Sequence, residues 1–305
     1  MLNQITIHQL DLFLVAAKLR NFSRAAEQMS ISQPAFSAQI IKLEKILGSP
    51  LFERIGRRIE LTEAGSVFET YTQATLNSLR EGKQAIDDIT KNVVGKLRLG
   101  ASTTIANYIL PYRLGGFKKK YPLAGIEMMV GNTSQIEQAL LRGEIDLGLV
   151  EGPVRNKSIS VHLFMKDELV VIYPYAHRWK SRPAVSLDEF KKEPLIIRER
   201  GSGTRRVFTD VIDPEKNHLN IVMEIGDTEA IKKSARAGLG VAVMSRAAVE
   251  EEIKAKTLRA TRIEGVGMER SLNLIILKNR YLSNPLRAFV QTLDMKEKVP
   301  GVNTV

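Results

Sequence analysis

Residues 22–41, with the sequence FSRAAEQMSISQPAFSAQII, predict two short helices joined by a tight turn. The hydroxyl of Ser23 can cap the first helix, and that of Ser32 can cap the second. Pro34 then falls in the first turn of the second helix, where a missing amide hydrogen costs nothing. This pattern favours a helix-turn-helix, and the plainer alternative is an amphipathic helical hairpin.

The second helix has one apolar face and a polar leading end. Its apolar residues recur at i, i+4, i+7 and i+11 and are Phe36, Ile40, Leu43 and Leu47. Gln33 and Ser37 lie near its start on other faces. Glutamine can bond an adenine edge and serine can bond several bases, so this end is typical of a recognition helix in the major groove.

An arginine-rich hairpin is predicted directly after the helices. Residues 51–65 read LFERIGRRIELTEAG, and a loose alternation from Phe52 to Leu61 with Gly56 at the tip predicts a β-hairpin wing. Arginines on such a ribbon are either a solvated face or contacts to phosphates and the minor groove. We favour the second interpretation because a recognition helix precedes them. These arginines are Arg54, Arg57 and Arg58.

Together these stretches resemble the winged helix-turn-helix of LysR-type transcriptional regulators. The resemblance begins in the opening IHQLDLFLVAAKLRNFSRAAEQM and continues through several motifs in fixed order. The motifs are Ser32-Gln33-Pro34, Leu43-Glu44, Leu51-Phe52-Glu53-Arg54, Leu61-Thr62 and Ala64-Gly65. The chain departs from the family at Ala38 and Ile41, where many members carry basic or larger polar residues. This departure leaves fewer base contacts to the recognition helix and shifts affinity to the wing.

The composition indicates a globular protein with an anionic partner. The chain has 305 residues, of which 44% are hydrophobic and 26% charged, and a formal net charge of +11. Such a charge fits DNA or an acidic metabolite. The absence of cysteine excludes disulfides, thiolate metal sites and thiol redox sensing. Asp11 interrupts the N-terminal apolar residues and no apolar run reaches membrane-spanning length, so we expect a cytoplasmic protein without membrane contact.

A long helix is predicted from its N-cap Thr62 to about Val93. Its apolar residues are spaced roughly as in a coiled coil and are Phe68, Tyr71, Leu79, Ile86, Ile89 and Val93. A helix of this length has little of its own chain to pack against. We therefore interpret residues 63–93 as a linker and dimerisation helix, a role that the LysR resemblance also implies. The alternative is a connector that lies on the next domain.

Residues 94–305 alternate between strand and helix patterns and predict an α/β domain with mostly parallel strands. The resemblance implies that this domain is a two-lobed effector domain with the architecture of periplasmic binding proteins. Lobe I is expected at 94–164 and 269–305, and lobe II at 165–268, with crossings near 163–166 and 268–272. Residues 1–62 are then the DNA-binding domain.

Polar residues follow several predicted strands, where α/β sheets bind ligands and helix N-termini attract anions. Thr204 and Gly203 lie in RERGSGTRR at 198–206, which is interpreted as a flexible basic loop. Each segment alone is equally well a helix cap or a turn. Together they favour a pocket for an acidic metabolite. The candidate residues are Ser102, Thr103, Thr104, Thr133, Gly203, Thr204 and Asp227.

The resemblance places the family's effector site at Ser102, Thr103 and Thr104 from one lobe and at Thr204 from the other. Residues 224–246, EIGDTEAIKKSARAGLGVAVMSR, are similar to the branch that regulates sulfite-reductase and carbon-fixation genes. That similarity again points to a small anion. The resemblance further implies a dimer through the linker helix that assembles into a tetramer, and it is compatible with a contact to RNA polymerase.

Two other classes of protein compete with this interpretation. An enzyme is disfavoured because no P-loop, HExxH, GxSxG or GxGxxG motif is present. A periplasmic solute-binding protein would share the α/β lobes, but not a DNA-binding front end. The histidines lack metal-ligand spacing, and we expect neither a metal nor another cofactor. They are His8, His162, His177 and His218.

Overall fold

The computed structural model describes residues 4–56, 58–90, 92–212, 219–278, 280–295 and 299–302. The chain divides into two units, Met1–Ile86 and Asp87–Val305. The first unit contains the winged helix-turn-helix and most of the long helix, and the second is an α/β domain. The predicted fold class is therefore confirmed, whereas the predicted residue bounds of domains and lobes stay a prediction.

Helices and one hairpin build the first unit. In chain order they are α1 Ile7–Leu19, α2 Phe22–Gln28, α3 Gln33–Leu47, β1 Phe52–Ile55, β2 Arg58–Leu61 and α4 Glu63–Asp87. Aromatic rings pack at their centre: Phe22 contacts Phe36 and Phe52, and Phe13 contacts Phe52 and Phe68. Ring pairs of this kind add to the stability that comes from burial alone. The cluster therefore fixes the wing against the helices.

The helix α2 begins two residues earlier than predicted. Asn21 is its N-cap, and the side-chain oxygen of Asn21 accepts a hydrogen bond from the Arg24 amide at 3.0 Å. The prediction that Ser23 caps this helix was wrong, because Ser23 lies in the first turn and is exposed. Asparagine and serine cap helices about equally well, so the local sequence does not decide between them. The earlier start brings Phe22 onto the ring of Phe36.

The helix α3 follows its prediction. The Ser32 hydroxyl caps it by accepting from the Ala35 amide at 3.4 Å, and Pro34 lies in the first turn. Gly48 ends the helix with a φ of 71°, a left-handed conformation that favours glycine. The predicted apolar face is buried at Phe36, Ile40 and Leu43, and Leu47 is half-buried.

Side chains of the family motifs hold the wing to both helices that flank it. The Glu44 carboxylate accepts from the amides of Leu51 and Phe52 at 2.8 and 3.3 Å. The Thr62 hydroxyl caps α4 by accepting from the Gly65 amide at 2.9 Å. A Cβ on Gly65 would lie 2.1 Å from the Leu51 carbonyl oxygen, so only glycine fits there. These motif residues therefore position the wing.

The helix α4 ends before the predicted Val93, and a 3-10 turn follows at Asp88–Thr90. The prediction of one helix to about Val93 was wrong at this end. The carboxylate of Asp88 accepts from the Tyr281 hydroxyl and from the Asn284 amide, both at 2.8 Å. These partners are far away in the sequence, and they draw the chain out of the helical path.

Strands and helices alternate through the second unit as predicted. Its strands are β3 Gly95–Ser102, β4 Ala124–Gly131, β5 Leu147–Glu151, β6 Ile159–Pro174, β7 Ala184–Val185, β8 Leu195–Arg198, β9 Ile221–Ile225, β10 Val241–Ser245, β11 Leu258–Ile263 and β12 Glu269–Leu277. Its helices are α5 Thr103–Tyr108, α6 Leu110–Lys120, α7 Thr133–Leu141, α8 Leu187–Lys191, α9 Gly203–Ile212, α10 Thr228–Arg236, α11 Glu250–Lys254 and α12 Asn284–Thr292.

The strands form a mixed sheet that changes partners along β6. Its order is β4-β3-β5-β12-β6-β10-β8-β9, with β11 paired to β6 and β7 to β11. Residues 159–168 of β6 pair with β12, and residues 169–174 pair with β10 and β11. We call the strands on the β12 side the first half-sheet and those on the β10 side the second half-sheet. Parallel pairs fill each half, whereas β6 and β12 run antiparallel to their neighbours.

The basic segment 198–206 is not a loop throughout. The strand β8 runs to Arg198, and α9 already begins at Gly203, so Thr204 lies in the first turn of a helix. The prediction of a flexible loop was wrong because the apolar face of α9, with Phe208 and Ile212, packs into the core of the second half-sheet. Short elements such as β7, α8, α11 and β11 were not predicted. Among the described residues, no helix is long and apolar enough to cross a membrane.

Candidate functional site

The leading end of α3 presents a polar, accessible surface. Gln33 and Pro34 are exposed, and the Gln33 side-chain nitrogen donates to the Ser37 hydroxyl at 2.8 Å. This bond sets the direction of the Gln33 amide and leaves its oxygen available to another donor. Ser23 is exposed on α2, and Ser32 is engaged as the cap of α3.

Two exposed positions farther along α3 are apolar. Ala38 is exposed, and 51% of Ile41 is accessible. On the wing, Arg54 and Arg58 are exposed, while Arg57 lies outside the described residues. The exposed arginines of the wing can contact phosphates, and exposed cations also lie on α3, at Lys42 and Lys45.

The helix α4 carries an exposed apolar stripe. Its members recur every four, seven or eight residues and are Val67 at 56% exposure, Tyr71 at 69%, Leu79 at 50% and Ile86 at 68%. Contiguous exposed apolar residues of this kind mark interaction surfaces. The stripe includes Val67, which the coiled-coil spacing did not single out.

In the second unit, predicted site residues from both half-sheets meet at one buried carboxylate. Ser102 ends β3 and donates to Glu151 Oε1 at 3.0 Å. Thr204 in α9 donates to Glu151 Oε2 at 2.8 Å. Glu151 itself ends β5, and only 2% of it is exposed. The Ser102 and Thr204 hydroxyls, predicted from opposite lobes, are thus brought together.

A buried arginine completes this cluster. Arg270 on β12 is fully buried, and its Nη1 donates to Glu151 Oε2 at 2.8 Å and contacts Thr204 Oγ1 at 2.7 Å. Its Nε donates to Asp167 Oδ2 on β6 at 2.7 Å. Asp167 also accepts from the Ser245 hydroxyl at 2.9 Å. The guanidinium of Arg270 on β12 therefore connects β6 with the cluster at Glu151.

Thr133 and Gly203 hold the backbone of Glu151 instead of its carboxylate. The Thr133 hydroxyl donates to the Glu151 carbonyl at 3.0 Å. A Cβ on Gly203 would lie 2.1 Å from that carbonyl oxygen, so α9 can approach β5 only because residue 203 is glycine. The side-chain amide of Asn273 holds the next carbonyl, that of Gly152, at 3.1 Å. The end of β5 is therefore fixed from three sides.

The remaining candidates lie less centrally. Thr104 is buried and lowers the pKa of the Glu151 carboxyl through a side-chain hydrogen bond, whereas Thr103 is half-buried. Asp227 is exposed and caps α10 by accepting from the Ala230 amide at 2.7 Å. Its place in the fold is that of a helix cap, outside the Glu151 cluster.

The cluster keeps Glu151 ionised. Burial alone raises the pKa of this carboxyl, but the Arg270 guanidinium and the hydroxyls of Thr104 and Thr204 lower it further than burial raises it. The pKa therefore lies below its ordinary value, and the site holds a carboxylate. The donors around this buried carboxylate are of the kind that bind anions.

A second contact joins the half-sheets away from Glu151. The Tyr108 hydroxyl on α5 donates to Glu229 on α10 at 2.7 Å. Lys232 Nζ lies 2.6 Å from Glu229 and 2.6 Å from Glu252, and 5.1 Å from the centre of the Tyr108 ring. Burial and the bond to Glu229 raise the pKa of Tyr108 to about 12, so its proton stays in place at neutral pH.

Sequence reasoning missed Glu151, Asp167 and Arg270. A signal existed for Glu151, because a carboxylate directly after the apolar run 147–150 is unusual in a buried strand. Arg270 and Asp167 lie on β12 and β6 and pair with groups more than 100 residues away in the sequence. Their burial therefore depends on long-range pairing. Among the described residues, no group of three or more His, Asp or Glu could hold a metal ion, and His218 lies outside them.

Two family models match the chain. Residues 7–66 match the bacterial regulatory helix-turn-helix protein model of the lysR family, and residues 91–296 match the LysR substrate binding domain. The chain belongs to the LysR family. It is therefore a DNA-binding transcriptional regulator and not an enzyme. Membership gives this LysR-type regulator three kinds of partner: double-stranded DNA, a small-molecule effector and further copies of itself.

Relatives match this LysR-type regulator over nearly its full length. The HTH-type transcriptional regulator YeiE of Escherichia coli K12 is 34% identical over 290 residues, which cover 95% of the chain and 97% of YeiE. A probable RuBisCO transcriptional regulator of Trichormus variabilis is 33% identical over 304 residues, covering 98% of the chain and 90% of the relative. The predicted similarity to carbon-fixation regulators is thus confirmed.

A solved regulatory domain resembles the second unit. The CcmR regulatory domain of Synechocystis PCC6803, in complex with 2-PG, matches with a TM-score of 0.61 and 29% identity. The match covers 65% of the chain and 95% of the CcmR domain.

Proposed function

We propose that this regulator changes its promoter contacts when a small anionic metabolite binds between the two half-sheets, at Ser102 and Thr204. One observation carries the proposal: hydroxyls from both half-sheets and the Arg270 guanidinium already converge on a carboxylate. The CcmR domain, whose structure contains the anion 2-phosphoglycolate, supports an effector of this class. Thr103, Thr104 and Thr133 line the same region, and Asp227 at the α10 N-terminus is included as a more distant contact.

For DNA, we propose that Gln33 and Ser37 read bases while Arg54, Arg57 and Arg58 contact the backbone. Ser23, Ser32 and Pro34 are placed at the same interface. The exposed stripe on α4 pairs with a second copy, and two dimers assemble into a tetramer. The protein works in the cytoplasm and needs no cofactor besides the effector.

Replacing Gln33 by alanine should relax base preference, while replacing Arg54 by alanine should weaken binding to all DNA. The loss of a bidentate base contact costs about 1–3 kcal/mol against the cognate sequence only. The loss of a phosphate contact lowers the slope of log affinity against log salt by about 1. Fluorescence anisotropy with operator and random duplexes at several salt concentrations measures both effects.

The control for Arg54 is Arg142→Ala, an exposed arginine of the second unit that should leave DNA binding unchanged. Equal losses on operator and random DNA from Gln33→Ala would contradict the assignment of base reading to α3.

The double change Ser102→Ala with Thr204→Ala should weaken anion binding by about three- to tenfold. Each hydroxyl hydrogen bond is worth about 0.5–1.5 kcal/mol, but the same hydroxyls also bond Glu151 in the free chain. The measured change in binding free energy is therefore the difference between the hydrogen bonds lost in the anion-bound protein and those lost in the free protein. Calorimetric titration with 2-phosphoglycolate, phosphate and sulfate measures it.

Effector-free DNA affinity should be preserved in this variant, because both residues lie in the second unit. The matched control is Ser158→Ala, an exposed serine of the same unit, which should bind anions like the wild type. Unchanged anion affinity in the double variant would show that the effector binds elsewhere.

A further inference from the structure

The Glu151 carboxylate already has the contacts that an effector's acid group would require. Both of its oxygens accept hydrogen bonds, Oε1 from Ser102 and Oε2 from Thr204 and Arg270. These donors come from the end of β3, the first turn of α9 and the strand β12. The Ser102 and Thr204 hydroxyls and the Arg270 Nη1 group are thus engaged by a side chain of the same protein.

The charges of this buried cluster strongly disfavour a second anion beside Glu151. Two carboxylates, Glu151 and Asp167, flank the single guanidinium of Arg270, and all three side chains are at most 7% exposed. The other buried cation nearby, Arg198, is paired with Glu199 at 2.7 and 3.0 Å. Like charges in one desolvated site disfavour each other strongly. An effector anion at Ser102 and Thr204 therefore requires that the Glu151 carboxylate leave.

Only the side chain of Glu151 is free to make this change. Its carbonyl is held by Thr133, and the close approach of Gly203 blocks any shift of that backbone toward α9. The movement that vacates the site is therefore a side-chain rotation.

We propose that Glu151 is an internal competitor of the effector: it occupies the anion position in the free protein, and binding exchanges its carboxylate for the effector's acid group. The proposal rests on the proposed effector site and adds the residue that sets its affinity and its selectivity for anions. A competitor inside the site reduces the apparent affinity for the effector, which equals the intrinsic affinity multiplied by the fraction of molecules whose site is vacant. The exchange also breaks the hydrogen bond between Glu151 at the end of β5 and Thr204 in α9. Binding of the effector is thereby coupled to the arrangement of the two half-sheets.

The test compares the full-length wild type with Glu151→Gln in titrations with phosphate, sulfate and 2-phosphoglycolate. A neutral amide competes less well for the hydroxyls and the guanidinium, so the variant should bind the preferred anion at least about tenfold more tightly. Asp167→Asn is the matched variant, because it removes the same charge from the other side of Arg270 without touching Ser102 or Thr204. It should strengthen binding far less.

Equal affinity of the wild type and Glu151→Gln would overturn the exchange while leaving the effector site in place. An equal gain in Asp167→Asn would also overturn it, since general electrostatics would then explain the effect. If neither the wild type nor Glu151→Gln binds any of the three anions, the proposed effector site is refuted, and the proposed exchange is refuted with it.

A crystal structure of the wild type soaked with the tightest of these anions gives an answer that does not depend on the folding of a variant. The anion should lie within hydrogen-bond distance of Ser102 and Thr204, with the Glu151 carboxylate turned away from both. Glu151 in its present position beside a bound anion would overturn the proposal.

Discussion

A chain that carries Leu79→Asp and Ile86→Asp should be monomeric and should lose operator binding. Both side chains are at least half exposed in the single chain and lie on the apolar stripe of α4. Pairing of two such stripes would bury them, and an aspartate there would be desolvated without a partner. A monomer binds one half-site alone. It loses the gain in affinity that a dimer obtains by binding two half-sites at once, which is on the order of a hundredfold or more.

Light scattering measures the assembly of this variant, and anisotropy with the operator measures its binding. The control Thr70→Asp adds the same charge to an exposed position about half a turn away from Leu79 around the helix, and it should keep the wild-type mass. A double variant with the wild-type mass would refute the role of the stripe.

Replacing Arg270 by methionine should destabilise the second unit by about 3–5 kcal/mol, because it leaves the buried carboxylates of Glu151 and Asp167 without their cation. Methionine has a similar length, so loss of charge rather than loss of volume dominates. Urea unfolding followed by the fluorescence of Trp179, the one tryptophan of the sequence and buried in the second half-sheet, measures the change.

The exposed pair of Arg142 and Glu144 provides the control for this experiment. Both side chains are more than 40% exposed, so Arg142→Met should cost at most about 1 kcal/mol. A similar small cost for Arg270→Met would mean that the cluster at Glu151 is solvated and contributes little to the fold.

Local chemistry explains which parts of the fold could be predicted from the sequence. Ser32 and Pro34 set the start of α3 through contacts within a few residues, and this start was predicted correctly. The start of α2 was missed because Asn21 and Ser23 are equivalent caps, and only the packing of Phe22 on the aromatic cluster decides between them.

Long-range pairing explains what could not be predicted. The end of α4 depends on the bonds of Asp88 to Tyr281 and Asn284, which lie in another part of the chain. At the candidate site, the hydroxyls of Ser102 and Thr204 were predicted because they follow strands or resemble a family motif. The group that they bind, Glu151, has one local signal, its position after the apolar run 147–150, whereas its partner Arg270 lies 119 residues later. The pairing of Arg270 with Glu151 and Asp167 is a property of the assembled sheet, so neither composition nor spacing reveals it.

The most direct test of the central claim is a DNase I footprint of the full-length protein on its selected operator, with and without a saturating amount of the anion that binds most tightly. The operator should be an interrupted palindrome with half-sites roughly 34 Å, or a multiple of that distance, apart. We predict that the anion changes the protected region in the wild type and leaves it unchanged in Ser102→Ala with Thr204→Ala at the same anion concentration. An identical footprint of the wild type in both conditions would contradict the claim that an anion between the half-sheets controls promoter contacts.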